Sequence, residues 1–256
     1  MQDLELEGLL RQLKLVDIRE NCDDLVSEAI EKNEGYRDFL KRIFRYEIDG
    51  RERRLSNKLI KSAGFDYCKT LDEIEYSFNP NLNHQKIKEL GTLGFIRKNE
   101  NIIIIGPPGV GKTMIATGIG INACNQGIRV KFWNAKEMMD ELYMAAKSGI
   151  LLETMEKLDK IPLLIIDELS YLKMDKEKES IFFQLIRRRY EKCSLIITTN
   201  LPLGQWDEVF TGQIAATAIL DRLIHHCHVL NITGDSFRVK GNDFMTNKGM
   251  EASHEY

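Results

Sequence analysis

The spacing of apolar residues divides the chain into two parts with different periodicities. Within residues 1–66, apolar side chains recur every three or four positions, as in Leu6, Leu9, Leu10 and Leu13 and again in Tyr36, Phe39, Leu40, Ile43 and Phe44. Because an α-helix turns once every ~3.6 residues, this spacing predicts amphipathic helices. We therefore expect a small all-helical N-terminal domain over residues 1–66.

Beyond Asn101, short aliphatic runs alternate with segments of helical periodicity. The predicted strands are rich in β-branched side chains and span Asn101–Ile105, Ile128–Trp133, Leu163–Ile166, Leu195–Thr199 and His228–Ile232. Strands that are apolar throughout are typical of parallel sheets covered on both faces, and the helical segments between them indicate βαβ connections. The pattern predicts an α/β domain over residues 67–240, with a parallel five-stranded sheet flanked by helices. The polar, aperiodic residues 241–256 are expected to form a flexible tail.

Composition excludes several classes of protein. With 43% hydrophobic and 29% charged residues, the chain is typical of a globular protein and too charged for a membrane protein. Its longest aliphatic run, Ile102–Ile105, is far shorter than the ~20 residues that cross a bilayer, and its acidic start differs from a secretory signal. We expect a cytoplasmic protein whose five cysteines are buried, reduced thiols.

A glycine-rich motif directly follows the first predicted strand and precedes a helical segment. It fits the pattern G-x-x-x-x-G-K-[ST] and consists of Gly106, Pro107, Pro108, Gly109, Val110, Gly111, Lys112 and Thr113. In this context the glycines let backbone amide groups face phosphate oxygens, the lysine carries its charge to the β- and γ-phosphates, and the threonine hydroxyl binds Mg²⁺. The motif predicts nucleotide binding. The alternative, a glycine turn that merely connects a strand to a helix, is disfavoured because every position of the motif is filled and its strand and helix context is present.

Two further strands end in polar residues suited to phosphate chemistry. Asp167 and Glu168 follow the run Leu163–Ile166, and Asn200 follows Leu195–Thr199. Such an aspartate can hold Mg²⁺, and such a glutamate can polarise an attacking water molecule. An asparagine at the carboxyl end of a strand can hold the γ-phosphate or the water. These residues predict a Mg²⁺-dependent hydrolase of nucleoside triphosphates.

The phosphate loop, Asp167-Glu168 and the strand that ends in Asn200 together resemble the AAA+ ATPases. Other segments narrow this resemblance to the IstB-like transposition helper ATPases, which are relatives of the helicase loader DnaC. These segments are Asp167-Glu168-Leu169-Ser170-Tyr171-Leu172, Phe183-Gln184-Leu185-Ile186, Arg189-Tyr190-Glu191, Thr198-Thr199-Asn200 with Trp206, and Ala218-Ile219-Leu220-Asp221-Arg222-Leu223-Ile224-His225-His226. The resemblance covers nearly the whole chain and implies a P-loop AAA+ fold that binds ATP and Mg²⁺.

The resemblance also implies roles for individual residues. Asn200 matches the sensor-1 position, Arg222 the arginine finger, and Arg238, in Gly234-Asp235-Ser236-Phe237-Arg238, the sensor-2 arginine. An arginine finger completes the catalytic site of a neighbouring subunit, so a homo-oligomer is expected. The chain differs from the family at Met114, where histidine is usual and a nucleotide contact is expected, and at Ser170, where glycine is usual.

By the same resemblance, we expect a DNA-binding ATPase that assembles with ATP on duplex DNA, largely without sequence specificity. It would deliver this target DNA to a partner transposase, which is IstA in the family. One segment is a candidate for the DNA contact: Tyr36–Lys61 holds nine basic and four acidic residues, a net charge of +5, and could meet a phosphate backbone. A solvated helix face would have the same composition.

Three alternatives remain open. A DnaC-like helicase loader shares the ATPase but would bind a replicative helicase and single-stranded DNA. A metabolic P-loop kinase would use the same loop, although Glu168 and Asn200 favour water as the acceptor, and Glu168 also argues against a scaffold without turnover. The run His225-His226-Cys227-His228 is interpreted as a helix end and a strand start, because four consecutive residues cannot all converge on one ion and structural zinc sites use separated pairs of ligands. No metal site besides Mg²⁺ is expected.

Overall fold

The computed structural model describes residues 3–74, 79, 82–234 and 236 of the chain. Its helices are α1 (Leu4–Gln12), α2 (Val16–Glu20), α3 (Cys22–Glu31), α4 (Tyr36–Ala63), α5 (His84–Gly91), α6 (Gly94–Arg97), α7 (Lys112–Asn125), α8 (Ala135–Lys147), α9 (Leu151–Asp159), α10 (Lys176–Arg189) and α11 (Gln213–Ile224). Its strands are β1 (Asn101–Ile105), β2 (Val130–Asn134), β3 (Leu163–Asp167), β4 (Ser194–Thr199) and β5 (Cys227–Asn231). Within the described ranges, every helix is too short or too polar to cross a membrane.

The chain divides into two compact units, residues 1–58 and 59–256, which we call the helical unit and the sheet unit. The division falls within α4, whereas the sequence places a boundary at residue 66. Residues 241–256, for which the sequence predicts a flexible tail, lie outside the described residues.

A buried acidic side chain and a close helix contact characterise the helical unit. Glu47, on α4, is buried, and its carboxylate accepts hydrogen bonds from the backbone N–H groups of Asp17 (2.8 Å) and Ile18 (3.2 Å) in α2. Asp17 in turn pairs with Arg54. A β-carbon at Gly50 would lie 2.1 Å from the carboxyl carbon of Asp17, so glycine is required for this approach of α2 to α4.

Much of the apolar face predicted for α1 is exposed. Leu10 is buried, but Leu9 and Leu13 are 50% and 66% exposed. A unit of this size has too little interior to bury every apolar side chain of its helices. The sequence periodicity therefore predicts the helix but not the burial of each leucine.

All five strands of the sheet unit run parallel, in the order β2-β3-β4-β1-β5. Isoleucines pair across its centre, with Ile103 beside Ile197 and Ile165 beside Ile196. One face of the sheet packs against α8, α9, α10 and α11, and the other against α5, α6 and α7. The predicted parallel sheet flanked by helices is confirmed, with β2 beginning at Val130 rather than at Ile128.

The five cysteines differ in exposure, so the prediction that all are buried is wrong. Cys124, on α7, is buried, and this burial raises the pKa of its thiol to about 11. Burial also raises the pKa of Cys227 to about 12. Cys68 is exposed, because it lies in the irregular segment between α4 and α5 rather than in the core. All five are free thiols.

The strand order brings three segments together at one edge of the sheet. Because β4 lies between β1 and β3, the carboxyl ends of these parallel strands are neighbours. Residues 106–111 follow β1, Glu168 follows β3 and Asn200 follows β4. Open α/β sheets bind their ligands at this edge.

Candidate functional site

Residues 106–111 form a loop between β1 and α7 whose conformation requires glycine. Gly109 and Gly111 have φ angles of 80° and 97°, in the left-handed region that other residues adopt with strain. A β-carbon at Gly106 would lie 2.3 Å from the carbonyl oxygen of Ile232. The loop leads into α7 at Lys112, so the unpaired amide groups of the helix N-terminus adjoin it. Loop and helix terminus together fit a phosphate group.

The Lys112 side chain lies inside this loop. Its amine donates hydrogen bonds to the carbonyl oxygens of Gly106 and Pro107, both at 2.8 Å, and to the side-chain oxygen of Asn200. The structure therefore brings together two residues that the sequence assigned to one site from separate motifs. A buried ammonium held by neutral oxygens can exchange them for charged phosphate oxygens, which form stronger hydrogen bonds.

Thr113 and Asp167 form the second part of the site. The Thr113 hydroxyl lies 3.1 Å and 3.0 Å from the two carboxylate oxygens of Asp167, and the Thr198 hydroxyl donates to the same carboxylate at 2.5 Å. Burial raises the pKa of Asp167, against the opposing effect of the bonds from Thr198 and Thr113. Hydroxyl and carboxylate oxygens are ligands that Mg²⁺ prefers. Thr113 and Asp167 therefore fit the predicted metal site.

Glu168 follows β3 in a left-handed backbone conformation, with φ at 60°. Its backbone N–H donates to the Thr198 hydroxyl at 2.9 Å, and its carboxylate accepts from the side-chain amide of Asn134 at 3.3 Å. Asn134 ends β2 and also caps α8 by accepting from the backbone N–H of Lys136. The sequence marks Asn134 as a helix N-cap, which the structure confirms, but no motif marks it as a residue of the site. Its position as a polar residue at a strand end was the one available signal.

Ser170 also contributes to the site. It lies in a short 3₁₀ turn, Leu169–Tyr171, directly after Glu168. Its hydroxyl oxygen accepts a hydrogen bond from the backbone N–H of Asn200 at 3.1 Å. This bond ties the end of β4 to the turn after Glu168, which a glycine could not do through a side chain.

Several of these residues line one cavity of about 390 Å³, whereas Asp167, Asn134 and Ser170 are not among its lining residues. The predicted residues that line it are Pro108, Gly109, Gly111, Lys112, Thr113, Met114, Glu168 and Asn200. Val110 is instead fully buried in the apolar core. Tyr67 and Lys69 also line the cavity, although no motif pointed to them.

Arg222 lies apart from this cavity. Its guanidinium group donates to the carbonyl oxygen of Ala218 at 2.6 Å, one turn earlier on α11. With Gln213, Ile214, Thr217, Ala218 and Asp221 it lines a separate surface cavity of about 530 Å³. Among the described residues, the structure does not bring Arg222 to the phosphate loop of its own chain.

The predicted sensor-2 residue, Arg238, lies outside the described residues. Ser236, in the same motif, is described, and its hydroxyl oxygen would lie 2.1 Å from a β-carbon placed at Gly109. The motif that contains Arg238 therefore reaches the phosphate loop at Ser236.

A cluster of possible metal ligands lies elsewhere on the surface. Glu191, His225 and His226 each place one ligand atom within 4.8 Å of the others. His228 is not part of this cluster, because it pairs with Glu100 at 2.8 Å. All three side chains are exposed, so the cluster lacks the enclosed, tightly arranged ligands of a structural zinc site. The histidine run was evident in the sequence, whereas Glu191 joins it through folding.

Comparison with known proteins places the chain in a group of insertion-sequence proteins. A family model described as IstB-like ATP binding protein matches residues 8–243. An insertion sequence IS21 protein of Pseudomonas aeruginosa, named for ATP binding, is 39% identical over 236 residues, which cover 92% of this chain and 89% of that protein. An insertion sequence IS232 protein of Bacillus thuringiensis subsp. berliner, also named for ATP binding, is 39% identical over 236 residues, which cover 92% of this chain and 94% of that protein.

Solved structures are similar in fold. The crystal structure of the DnaC helicase loader matches with a TM-score of 0.51 and 19% sequence identity, over 68% of this chain and 98% of that chain. At this level of identity the similarity concerns the fold alone. It confirms the predicted P-loop AAA+ fold.

Proposed function

Because the chain belongs to the family of IstB-like ATP-binding proteins, we propose that it is a Mg²⁺-dependent ATP hydrolase that assembles on duplex DNA and delivers this DNA to a partner transposase. The observation that carries the proposal is the common cavity lined by the phosphate loop, Glu168 and Asn200. Its relatives in insertion sequences support the role in transposition.

In this proposal the phosphate loop binds the β- and γ-phosphates of ATP. Lys112 exchanges its backbone carbonyl partners for phosphate oxygens, and the amide groups of the loop and of the α7 N-terminus add further hydrogen bonds. Thr113 and Asp167 hold Mg²⁺, which when bound neutralises part of the charge on the phosphates.

Glu168 and Asn200 act on the water that attacks the γ-phosphate. Glu168 accepts a proton from this water, and Asn134 orients its carboxylate through the bond at 3.3 Å. Asn200 positions the water or the γ-phosphate, since its side-chain oxygen already contacts Lys112. Ser170 keeps Asn200 beside the turn that follows Glu168.

Arg222 completes the site of a neighbouring subunit. Its position on a surface cavity of α11, away from its own phosphate loop, supports action between chains. Ile214 in the same cavity is 90% exposed, as expected for a surface that a second copy covers. Hydrolysis would then depend on assembly, and an arginine supplied in this way accelerates phosphoryl transfer by about 10³–10⁵-fold.

The ion pairs of α4 identify which basic residues can contact DNA. Several of these basic residues already form ion pairs within the helical unit. Arg42 pairs with Glu28 and Glu34, and Arg51, Arg53 and Arg54 pair with Glu47 or Asp17. Within the helical unit, three basic residues of α4 are exposed and form no ion pair with a described residue: Arg37, Arg45 and Lys58. We assign the DNA contact to these three, because unpaired cations can neutralise backbone phosphates.

The proposal is tested by sedimentation velocity of the full chain with ATP and Mg²⁺, in the presence of duplex or single-stranded DNA. We expect growth of the sedimenting species when ATP and duplex DNA are both present, together with phosphate release. Glu168→Gln should keep the assembled state and release phosphate at least ~10²-fold more slowly. Glu137→Gln, at an exposed position of α8, is the matched control and should behave like the parent chain.

A chain that stays monomeric with ATP and duplex DNA contradicts the proposal. Assembly on single-stranded DNA alone, together with binding to a replicative helicase, would instead support a helicase loader. Phosphate release that requires a small-molecule acceptor would support a kinase.

A further inference from the structure

Residues 65–71, which we call the tyrosine segment, lie directly on α7, the helix that follows the phosphate loop. A β-carbon at Gly120 would lie 2.9 Å from the ring of Phe65. A β-carbon at Gly118 would lie 2.7 Å from the side chain of Leu71. The two ends of the segment therefore contact the backbone of α7.

These contacts explain why α7 contains glycine in its interior. Glycine is unfavourable inside a helix, because its backbone loses more conformational freedom on folding than that of other residues. At Gly118 a larger residue would displace Leu71, and at Gly120 it would displace both Phe65 and Ile165 of β3. The sequence of α7 is thus suited to holding this segment in place.

Both ends of the segment are fixed by further contacts. The ring of Phe65 packs on Phe132, with 5.8 Å between the ring centroids. Beside Leu71, the Glu73 carboxylate accepts hydrogen bonds from the backbone N–H of Thr70 at 2.6 Å and from its hydroxyl at 3.0 Å. The residues between Phe65 and Leu71 are consequently held at a defined place.

Two of these central residues line the nucleotide cavity. Tyr67 and Lys69 face it together with the phosphate loop, whereas Cys68 between them does not line it. Tyr67 is 39% exposed, so its ring has not been buried in the core. Phe65 and Leu71 hold the segment, and Tyr67 and Lys69 lie between them on the cavity wall.

The chemistry of the lining differs from one part of the cavity to another. Lys112 and Thr113 provide charge and hydroxyl groups suited to phosphates. Tyr67 is the one aromatic residue among the described residues that line the cavity, and Met114 follows Thr113 on the first turn of α7. An aromatic face and a thioether are suited to the flat, polarisable surface of a purine base.

We propose that Tyr67 and Met114 bind the adenine base of ATP and that Lys69 binds the ribose or α-phosphate next to it. This inference rests on the proposed nucleotide binding and adds the residues that distinguish a nucleotide from a bare polyphosphate. The phosphate loop then provides affinity for any triphosphate, and the tyrosine segment provides affinity for the nucleoside.

The test compares two ligands, ATP and inorganic tripolyphosphate, by isothermal titration calorimetry with Mg²⁺ and the full chain. We expect Tyr67→Ala to raise the Kd for ATP about tenfold, the size of a base–aromatic stacking contribution, and to leave the Kd for tripolyphosphate unchanged. Tyr67→Phe should keep the parent affinity for both, because the ring is retained. Cys68→Ala is the matched control in the same segment and should change neither Kd.

Two results with Tyr67→Ala would overturn the inference: an unchanged Kd for ATP, or an equal loss of affinity for both ligands. Equal loss would mean that Tyr67 supports the loop instead of contacting the base. Failure of the parent chain to bind either ligand would overturn the proposed function as well. Parent binding to both ligands with equal affinity would overturn the base contact alone.

Discussion

The guanidinium group of Arg222 stacks on the ring of Phe183, 4.8 Å from the ring centroid. The two residues belong to neighbouring helices, α11 and α10, so the stack joins these helices at the surface. Together with the bond to the Ala218 carbonyl oxygen, it restrains the arginine side chain by contacts within its own chain. An arginine restrained in this way loses less conformational entropy when it binds a phosphate.

Replacing Arg222 by alanine should leave ATP binding intact and reduce hydrolysis by about 10³-fold. The decisive measurement is phosphate release from a mixture of Arg222→Ala and Glu168→Gln chains. Each variant alone should be inactive. The mixture should recover activity, because an Arg222→Ala chain keeps Glu168 and can receive Arg222 from a neighbouring Glu168→Gln chain. Arg187→Ala, at an exposed position of α10, serves as the matched control. A mixture without activity would rule out action between subunits.

Phe183→Leu should lower kcat up to about tenfold without changing KM, because it removes the cation–π contact while keeping an apolar side chain. Phe183→Tyr retains the aromatic face and should restore the parent kcat. Steady-state kinetics with assembled protein measures both values. A rise in KM, or a loss of kcat that Phe183→Tyr does not restore, would indicate a structural role instead.

Asp167→Asn should raise the Tm of the chain at pH 7 when Mg²⁺ is chelated. Burial raises the pKa of Asp167 in the folded state, so the neutral form is favoured there. The higher proton affinity of Asp167 in the folded state stabilises the fold fully below the ordinary aspartate pKa. This stabilisation is lost as the pH rises through the raised pKa of Asp167. The difference in Tm between Asp167→Asn and the parent chain should therefore vanish at about pH 3, where Asp167 is itself neutral.

Thermal denaturation at several pH values checks this prediction, with Asp207→Asn as an exposed control. An equal Tm for parent and variant at pH 7 would contradict the assigned burial cost. The same variant should lose Mg²⁺-dependent hydrolysis, because an amide replaces the carboxylate that faces Thr113.

The double variant Arg37→Ala/Arg45→Ala should weaken duplex binding and reduce its salt dependence. Each phosphate contact contributes about 0.9 to the slope of log K against log salt concentration, so the slope should fall by nearly two. Arg11→Ala/Lys32→Ala removes the same charge at positions already paired with Glu7 and Glu28, and is the control. Fluorescence anisotropy at several salt concentrations measures this slope for both double variants. Identical slopes would exclude α4 as the DNA contact.

The sequence predicts those parts of the site that are contiguous in the chain. The phosphate loop, Asp167 and Glu168 each occupy a few adjacent residues at a strand end, so local patterns identify them. The order of β1, β4 and β3 then accounts for the contact between Lys112 and Asn200.

Asn134, Ser170 and Tyr67 could not be predicted in the same way. Asn134 reaches Glu168 from another strand, and Ser170 binds a backbone group of Asn200 rather than a ligand. Tyr67 reaches the cavity because Gly118 and Gly120 admit its segment onto α7. Each contact depends on tertiary packing, for which the chain has no local pattern. The roles of Arg222 and Arg238 rest on resemblance and remain predictions.

Helix α7 begins at the phosphate loop and, about 9 to 12 Å further along its axis, carries Gly118 and Gly120 beneath the tyrosine segment. One rigid element therefore sets the distance between the loop and Tyr67. The protein should therefore select nucleotides by the length of their polyphosphate chain, since a ligand must reach the phosphate loop and Tyr67 at once. Adenosine tetraphosphate should accordingly compete poorly with ATP in a displacement assay, although it has the same base and more charge.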